Sequence, residues 1–410
     1  MKIFSSSLII FLFSNIPMLV LGQINSRDRT PVEGKLYLTA LPVISYNPAF
    51  GVIFGGAASA GMYLGHPDST LMSSGSSTIT YTSKKQLMFT LKPNIYTANN
   101  GWYITGDGRL FFSSQPTYGL GTGPQANFIY SNGSIYKEPF ENGIPTGEMM
   151  EFDWVRLYGT VFKKISNRFY LGLGYHLDNY SGINDLATDT SLSEPRLSNH
   201  FLYSVKHDFS PVEYTISGFS MNAMYDTRDN MSNAYKGSFV SLDYRVMTTW
   251  LGSERDATLL SYDARKFIGL SKNRPRNVLA FWSYGHFTPT GKLPYMGLPA
   301  LGYDQLGRSG RAYPQGRFRG DDIFYLEAEY RFQIPILKKY PELLGAVVFA
   351  NLTSASSEDQ EVKLFEYMKH GVGGGLRIMI QKEARANIVL DYGWGADGAG
   401  AFYININETF

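Results

Sequence analysis

The residues best suited to chemistry lie in an arginine- and glycine-rich loop and in the strand that follows it. The loop runs from Gly310 to Asp322, and residues 323–334 then alternate apolar and polar side chains without a break. Because successive side chains of a strand point to opposite faces, Glu327 and Glu329 share the polar face. Carboxylates on that face can accept directed, often bidentate hydrogen bonds from an arginine guanidinium. The pattern indicates electrostatic anchoring of a loop rather than catalysis.

The six histidines give little support for catalysis or metal binding. They are scattered along the chain, and none stands in a recognisable motif with a serine or an aspartate: His66, His176, His200, His207, His286 and His370. A hydrolase needs a base beside its nucleophile. The pair of His200 and His207 lies in a loop without a third metal ligand. We therefore expect no enzymatic activity, cofactor or metal, with an outer-membrane hydrolase kept as an alternative.

Composition favours a β-rich membrane protein. The chain has 29 Tyr, 27 Phe and 42 Gly, no Cys, and only 18% charged residues. The absence of Cys excludes disulfides and thiolate metal sites. A net charge of +2 without a basic run predicts no nucleic-acid partner. After the first 22 residues no stretch has the roughly 18 apolar residues of a membrane helix. High Tyr, Phe and Gly in alternating strands is typical of outer-membrane barrels.

The N-terminal residues predict export. Residues 1–22 have a charged start at Lys2, an apolar run and a cleavage-compatible end before Gln23, which indicates a signal peptide. A single membrane anchor is the alternative, but the apolar run is short. Residues 23–34 form a linker that is too short for a folded periplasmic domain. Residues 35–410 are then expected to form one barrel domain.

The alternation of apolar and polar residues predicts sixteen strands, at residues 41–46, 52–64, 78–83, 87–96, 102–112, 152–163, 169–178, 214–226, 239–246, 259–268, 278–287, 323–334, 343–352, 373–381, 386–394 and 401–410. The number is even, and short turns alternate with long loops, as in a transmembrane barrel with short periplasmic turns. Closure removes exposed sheet edges. A soluble sandwich or propeller would be the rival, but a propeller's blade repeats are absent. The predicted fold is all-β, a 16-stranded antiparallel transmembrane β-barrel.

Three motifs together resemble the BamA/TamA-type superfamily of outer-membrane barrels, also called the bacterial surface antigen family. The first is Arg317-Phe318-Arg319-Gly320, late in a long loop before the fifth strand from the end. The second is the segment 226–230 with a glycine after it, which is similar to the family's turn between strands eight and nine. Its motif residues are Asp226, Arg228, Asp229 and Gly237. The third is a last strand that ends in an aromatic residue, Phe410. The resemblance covers residues 36–410 and fits members that lack POTRA domains.

The resemblance implies that the long loop folds into the lumen and that its arginine pairs with acidic groups of the wall. Carried over to this chain, that arginine is Arg319, and its expected partners are Glu327 and Glu329. Gly320 would let the backbone turn tightly beside it. Where the family has an aspartate in the next strand, this chain has Asn351, which shifts the expected pairing towards the two glutamates.

The family handles polypeptide or lipid at the outer membrane, through a barrel whose first and last strands pair poorly. This chain has its own reason for a weak seam, because Pro42 cannot donate to a β-ladder. The candidate seam residues are Pro42, Tyr46, Phe402 and Phe410. Ordinary barrel closure with a proline at one end is the alternative.

The implied partners are outer-membrane lipid, client outer-membrane proteins or lipids, and a separate periplasmic or lipoprotein partner. We expect the barrel itself to be monomeric. The alternative function is a passive channel or small-solute transporter. Its lumen would be lined by the charged side chains Asp243, Arg245, Asp263, Arg265, Glu327, Glu329, Arg331 and Arg377.

Overall fold

Sixteen antiparallel strands form one barrel that closes where the first strand meets the last. This computed structural model describes residues 32–47, 50–124, 140–141, 144–145, 147–191, 193, 195–231, 233–337, 339–382 and 385–410. The predicted fold class is thereby confirmed. The predicted signal peptide, residues 1–22, lies outside the described residues.

The strands follow one another around the barrel in chain order. They are β1 Tyr37–Asn47, β2 Gly51–Met62, β3 Ser73–Thr82, β4 Leu87–Tyr96, β5 Trp102–Thr117, β6 Glu148–Ser166, β7 Phe169–Asp185, β8 Tyr214–Asp226, β9 Gly237–Met247, β10 Ala257–Gly269, β11 Val278–Gly291, β12 Ile323–Gln333, β13 Leu344–Ala355, β14 Lys369–Gln381, β15 Ala386–Gly395 and β16 Gly400–Ile406. Each corresponds to one predicted strand. The long connections 118–147, 186–213 and 292–322 all leave one end of the barrel, the outer end, whereas the connections at the opposite, inner end have at most ten residues.

Alternation along the strands separates a lipid-facing surface from the lumen. On β12, Leu326 and Tyr330 are exposed on the outside at 39% and 38%, whereas Glu327 and Glu329 inside are 0% and 1% exposed. Apolar side chains face outwards on the other strands in the same way, for example Leu173 on β7 and Val348 on β13. The barrel therefore presents an apolar belt to lipid and a polar inner wall, as a transmembrane barrel requires.

Strands β5, β6 and β7 are longer than a membrane requires. They have 16, 19 and 17 residues, whereas a tilted transmembrane strand needs about 9–11. In the outer part of β6 the pattern is reversed, because Glu151 and Asp153 face outwards while Phe152 and Trp154 are buried inside. The outer ends of these three strands therefore project beyond the lipid belt into water.

Loops fill the outer end of the lumen. One helix, α1 Asn199–Lys206, begins at Ser198, whose side chain accepts a hydrogen bond from Phe201 N. Its Tyr203 belongs to a buried apolar group with Tyr295 and Met296 of the 292–322 connection and Trp154 of β6. This group is called the outer cluster. The outer mouth is thus closed by a hydrophobic core, as in a soluble domain. No helix among the described residues is long and apolar enough to span a membrane.

Candidate functional site

A buried arginine anchors the lumen loop, residues 292–322, to the barrel wall. The Arg311 guanidinium donates to Asp391 Oδ2 on β15 at 2.8 Å and to Glu327 and Glu329 on β12. Its charged end also lies 3.7 Å from the ring centre of Phe349. One guanidinium therefore joins a loop to two strands on different parts of the wall, through charge-assisted hydrogen bonds in a water-poor environment.

The prediction that Arg319 makes these contacts is wrong. Arg319 is 1% exposed, but its Nη1 donates to the carbonyl oxygens of Tyr295 at 3.0 Å and Leu298 at 3.2 Å. Both carbonyls belong to the lumen loop, so Arg319 stabilises the fold of the loop itself. The two glutamates were identified correctly, but the loop holds several arginines, and spacing alone does not show which one reaches them.

Residues around Arg311 fix the loop backbone to β13–β16. Asn351 Nδ2 donates to Arg311 O at 3.0 Å. Tyr313 O accepts a hydrogen bond from Tyr403 OH at 2.7 Å, and the Tyr313 hydroxyl accepts one from Ala396 N at 2.8 Å. Asn351 thus contacts the backbone of Arg311 and leaves the guanidinium to the carboxylates. Phe318 is buried 4.9 Å from the Tyr313 ring, while Arg317 packs over Tyr118.

Two loop glycines have different physical roles. Gly316 has φ of +79°, a left-handed conformation that side chains disfavour. Gly320 is needed for space, because a Cβ there would lie 1.9 Å from the backbone oxygen of Ser356. The loop therefore approaches the end of β13 too closely for any side chain at position 320.

We expect Gly320→Ala to destabilise the protein by about 1–3 kcal/mol, because a backbone oxygen cannot move aside as a side chain can. Thermal unfolding of the refolded barrel measures the change. Gly159→Ala on β6 is the matched control, since a Cβ there meets nothing within 4 Å. Equal unfolding temperatures for the two variants would show that the loop does not need this close approach.

The seam between β1 and β16 is the weakest pairing in the barrel. It consists of one residue pair, Tyr46 opposite Ile404, whereas β12 pairs with β13 along its whole length, from Ile323 to Gln333. Pro42 lies on β1 opposite Gly56 of β2, beyond the single seam pair. Tyr46 and Phe402 face the lipid side and are 37% and 40% exposed. Much of the β1 backbone consequently has no ladder on the side towards β16.

The end of the sequence explains why this ladder is short. The predicted last strand, 401–410, is wrong beyond Ile406: Asn407 takes a left-handed conformation with φ of 69°, and the tail segment, Asn407–Phe410, turns into the lumen. Phe410 is therefore no seam residue. Its ring lies 5.2 Å from that of Trp282 and 6.0 Å from that of Phe267, and Arg331 Nη2 donates to its backbone oxygen at 2.9 Å.

Besides Arg331, two further arginines hold the tail segment in the lumen. Arg377 Nε donates to Glu408 Oε2 at 2.7 Å. Arg308 of the lumen loop donates to the carbonyl oxygens of Ile406 at 2.7 Å and Asn407 at 3.0 Å. The lumen loop, which Arg311 anchors to the wall, thus also binds the tail segment. The seam is short because this tail segment does not continue β16.

The turn motif of the sequence lies between β8 and β9. Asp226 accepts hydrogen bonds from the Arg228 side chain, the shortest at 2.6 Å, and Asp229 accepts from the backbone of Tyr235 at 2.9 Å. Gly237 has φ of +110°, and a Cβ there would collide with Thr227 O. Asp229 also accepts from Arg385 Nη1 at 2.9 Å. This last contact, which sequence reasoning missed, ties the turn to the β14–β15 turn at the inner end.

At the outer end, Asp359 joins α1 to the β13–β14 connection. It accepts from Lys206 Nζ at 2.9 Å and from His207 Nε2 at 2.8 Å. Burial raises the pKa of Asp359, but the hydrogen bonds from His207 and Lys206 outweigh it, so that its pKa lies below the ordinary value. A lowered pKa in the folded state means that this contact stabilises the fold above the unfolded pKa, about 3.9, and that the stabilisation is lost as pH falls through the folded value.

We expect acid below about pH 4 to separate α1 from this loop. Spin labels at Val205→Cys and Lys363→Cys should give a narrow distance distribution at pH 7 and a broad one at pH 3. Asp359→Asn should broaden it at both pH values. A distribution in Asp359→Asn at pH 7 as narrow as that in the parent protein would contradict the assignment.

The lumen retains a cavity of about 580 Å³ beneath the lumen loop. Four of the side chains expected to line a channel border it: Asp243, Arg245, Asp263 and Arg265. The other four belong to the buried network around Arg311 and the tail segment, since Glu327, Glu329, Arg331 and Arg377 are at most 5% exposed. The cavity ends below the outer cluster, whose members Met247, Leu293 and Met296 border it.

An Asp–His–Ser arrangement is present but is buried. His200 Nδ1 lies 2.7 Å from Asp185 Oδ2, and Ser204 Oγ lies 3.5 Å from His200 Nε2. Both His200 and Ser204 are 0% exposed inside the outer cluster. A nucleophile must contact its substrate, so this group has the geometry of a structural network. The described residues also contain no group of three or more His, Asp or Glu placed to hold a metal ion.

Comparisons with known proteins agree with this architecture. The sequence model of the family described as the Omp85 superfamily domain matches residues 157–410. This match confirms the resemblance to BamA/TamA-type barrels. A search among proteins of curated function found no match.

Solved structures share the fold at low identity. BamA from Haemophilus ducreyi lacking POTRA domains 1-3 is 12% identical with a TM-score of 0.56, over 91% of this chain and 70% of that chain. CdiB from Acinetobacter baumannii is 14% identical with a TM-score of 0.54, over 91% and 59%. CdiB from Escherichia coli is 12% identical with a TM-score of 0.55, over 92% and 63%. The chain thus spans less than two thirds of either CdiB, and these likenesses concern the fold.

Proposed function

The chain belongs to the Omp85 superfamily, and from this premise we propose that it inserts or translocates protein or lipid at the bacterial outer membrane. The observation that carries the proposal is the seam. A single residue pair, Tyr46 with Ile404, closes the barrel, and a barrel that opens sideways must break only this short ladder. Each strand elsewhere in the barrel is joined to its neighbours over a longer ladder.

An edge strand with free backbone groups is a template for another strand. The side of β1 that faces β16 is such an edge, because β16 ends at Ile406 and the tail segment leaves it. It borders lipid, since Leu38 and Ile44 on β1 are more than 60% exposed. A client strand could pair there without prior unfolding of the barrel.

A passive channel is the second candidate, and the filled lumen weighs against it. The outer cluster closes the outer mouth with buried apolar side chains. Arg311 holds the lumen loop against the wall, and Arg319 binds carbonyl oxygens of the loop itself. Free diffusion of solutes would require this core to come apart.

We propose that the chain reaches the outer membrane through the signal peptide at residues 1–22 and acts as a monomeric barrel. A separate periplasmic or lipoprotein partner would deliver clients to the inner end. That end carries exposed basic side chains, among them Lys163, Lys272 and Arg274, which suit an acidic partner or anionic lipid headgroups.

The proposal is tested with the purified barrel in liposomes. We expect the protein to accelerate the folding of a urea-denatured outer-membrane barrel or the transfer of fluorescent lipid between leaflets. Liposomes that contain heat-denatured protein provide the reference rate. Planar-bilayer recordings of the same preparation should show small, flickering currents. Large steady currents without acceleration of either process would favour the passive channel and contradict the proposal.

A further inference from the structure

The β8–β9 connection leaves the barrel through a firmly held base. Its described residues, 227–231 and 233–236, are called the inner strap. The base is closed by a hydrogen bond of 2.8 Å from Thr227 N to Ser238 O. The Arg228 guanidinium binds Asp226, and its carbon lies 4.4 Å from the ring centre of Phe239. Both ends of the inner strap are thus fixed to β8 and β9.

The tip of the inner strap lies across the inner end of the lumen. Asn233 Nδ2 donates to Arg385 O in the β14–β15 turn at 3.2 Å, although four strands, β10–β13, separate β9 from β14. On the other side, the Met231 sulfur lies 3.6 Å from the Tyr96 hydroxyl on β4, and β5–β7 separate β4 from β8. The inner strap therefore reaches two distant parts of the wall instead of hanging below its own strands.

The inner strap covers part of the lumen cavity from below. Arg228 and Met231 border the cavity. Ala234 is 3% exposed and belongs to a buried group with Phe267, Trp282 and Phe410, so that the tip packs against the lumen side of the wall and the tail segment. The cavity consequently lies between the lumen loop at the outer end and the inner strap at the inner end.

These two covers are held with unequal strength. At the outer end, Arg311 is 3% exposed and its carboxylate partners are at most 1% exposed. At the inner end, Arg385 Nη1 donates to Asp229 Oδ2 at 2.9 Å, but these side chains are 25% and 19% exposed. Separation of a buried pair leaves unsolvated charges, whereas water can solvate both members of a partly exposed pair. The inner strap is therefore the cover that opens at the smaller cost.

The polar contacts of the tip converge on Arg385. This residue binds Asp229, its guanidinium carbon lies 3.9 Å from the ring centre of Tyr235, and its backbone oxygen accepts from Asn233. A segment with a fixed base and a tip held by one residue has the form of a hinged lid. We propose that the tip leaves Arg385 and opens the lumen cavity to water at the inner end, while the lumen loop stays in place. This inference does not depend on the proposed function, because it concerns only access to the lumen.

The position of the tip is measured by double electron–electron resonance between spin labels at Met231→Cys and Lys382→Cys, in the refolded barrel in detergent micelles. We expect one short distance in the otherwise unchanged protein. After Asp229→Asn or Arg385→Gln, most molecules should show a longer distance. Asp68→Asn is the matched control, because it removes a 91% exposed carboxylate of another inner connection, and it should keep the short distance.

Access to the cavity is measured on a separate protein with Ser241→Cys, since Ser241 borders the cavity. A water-soluble maleimide should label this cysteine at least five-fold faster with Asp229→Asn or Arg385→Gln than without them or with Asp68→Asn. Heat-modifiable gel migration identifies any variant that fails to fold, and Arg385→Lys, which loses the planar contact with Tyr235, then takes its place.

An unchanged distance in the folded variants at Asp229 and Arg385 would overturn the proposal, because these residues would then not hold the tip in place. A longer distance without faster labelling of the cavity would overturn it as well, because the inner strap would then move without covering the cavity.

Discussion

Arg311→Ala is expected to destabilise the barrel by about 3–5 kcal/mol, because it leaves buried carboxylates without their counter-charge. Arg311 is the only described side chain that bonds Glu327, Glu329 and Asp391 together. In this variant Arg331 would still pair with Glu329, and Arg377 with Asp391. Glu327 would keep only its hydrogen bond from the Tyr325 hydroxyl. The lumen loop should then leave the wall.

Thermal unfolding and planar-bilayer conductance measure the two consequences of Arg311→Ala. The unfolding temperature should fall, and flickering currents should become larger and steadier as the loop moves. Arg311→Lys should rescue little, since an ammonium lacks the planar fork that reaches several carboxylates. Arg255→Ala is the matched control, because its pairing with the 86% exposed Asp208 is a surface contact worth about 0–1 kcal/mol. An Arg311→Ala protein as stable and as closed as this control would contradict the anchoring role.

Phe410→Ala is expected to release the tail segment and lengthen the seam. Phe410 is 4% exposed and packs on Trp282 and Phe267, and truncation of a buried phenylalanine costs about 3–5 kcal/mol. Once free, residues beyond Ile406 can continue β16. The register of the Tyr46–Ile404 pair places Ile406 opposite Ile44, so the ladder would grow along β1.

A cysteine pair at Ile44 and Ile406 reports this change. The chain contains no cysteine, so that any disulfide comes from the introduced pair. Cross-linking should be inefficient in the parent protein and efficient after Phe410→Ala or Glu408→Gln. Phe402→Ala, a lipid-facing change on the same strand, serves as the control. Equal cross-linking in all four proteins would show that the tail segment does not set the length of the seam.

Sequence patterns predicted the barrel well, because a strand between lipid and a polar lumen must alternate. The sequence patterns failed where a strand does not lie between lipid and a polar lumen. The outer part of β6 is apolar inside and polar outside, so residues such as Glu151 and Asp153 resemble a loop in the sequence. The same limit explains Phe410, which continues the alternation of β16 in the sequence but follows a left-handed Asn407 into the lumen.

The site was predicted in part for a related reason. Glu327 and Glu329 were found because a strand fixes which side chains share a face. A loop has no such period, so the choice between Arg311 and Arg319 depended on tertiary contacts. Asp391 on β15 and Glu408 in the tail segment complete the network around Arg377. No local sequence pattern predicts that these two elements approach the lumen loop.

A disulfide across the seam tests the central claim most directly. Tyr46→Cys with Ile404→Cys joins the single pair that closes the barrel. In liposomes, the oxidised protein should no longer accelerate the folding of a denatured client barrel or the transfer of lipid, and reduction should restore the acceleration. Full acceleration in the oxidised protein would contradict a function that depends on opening between β1 and β16.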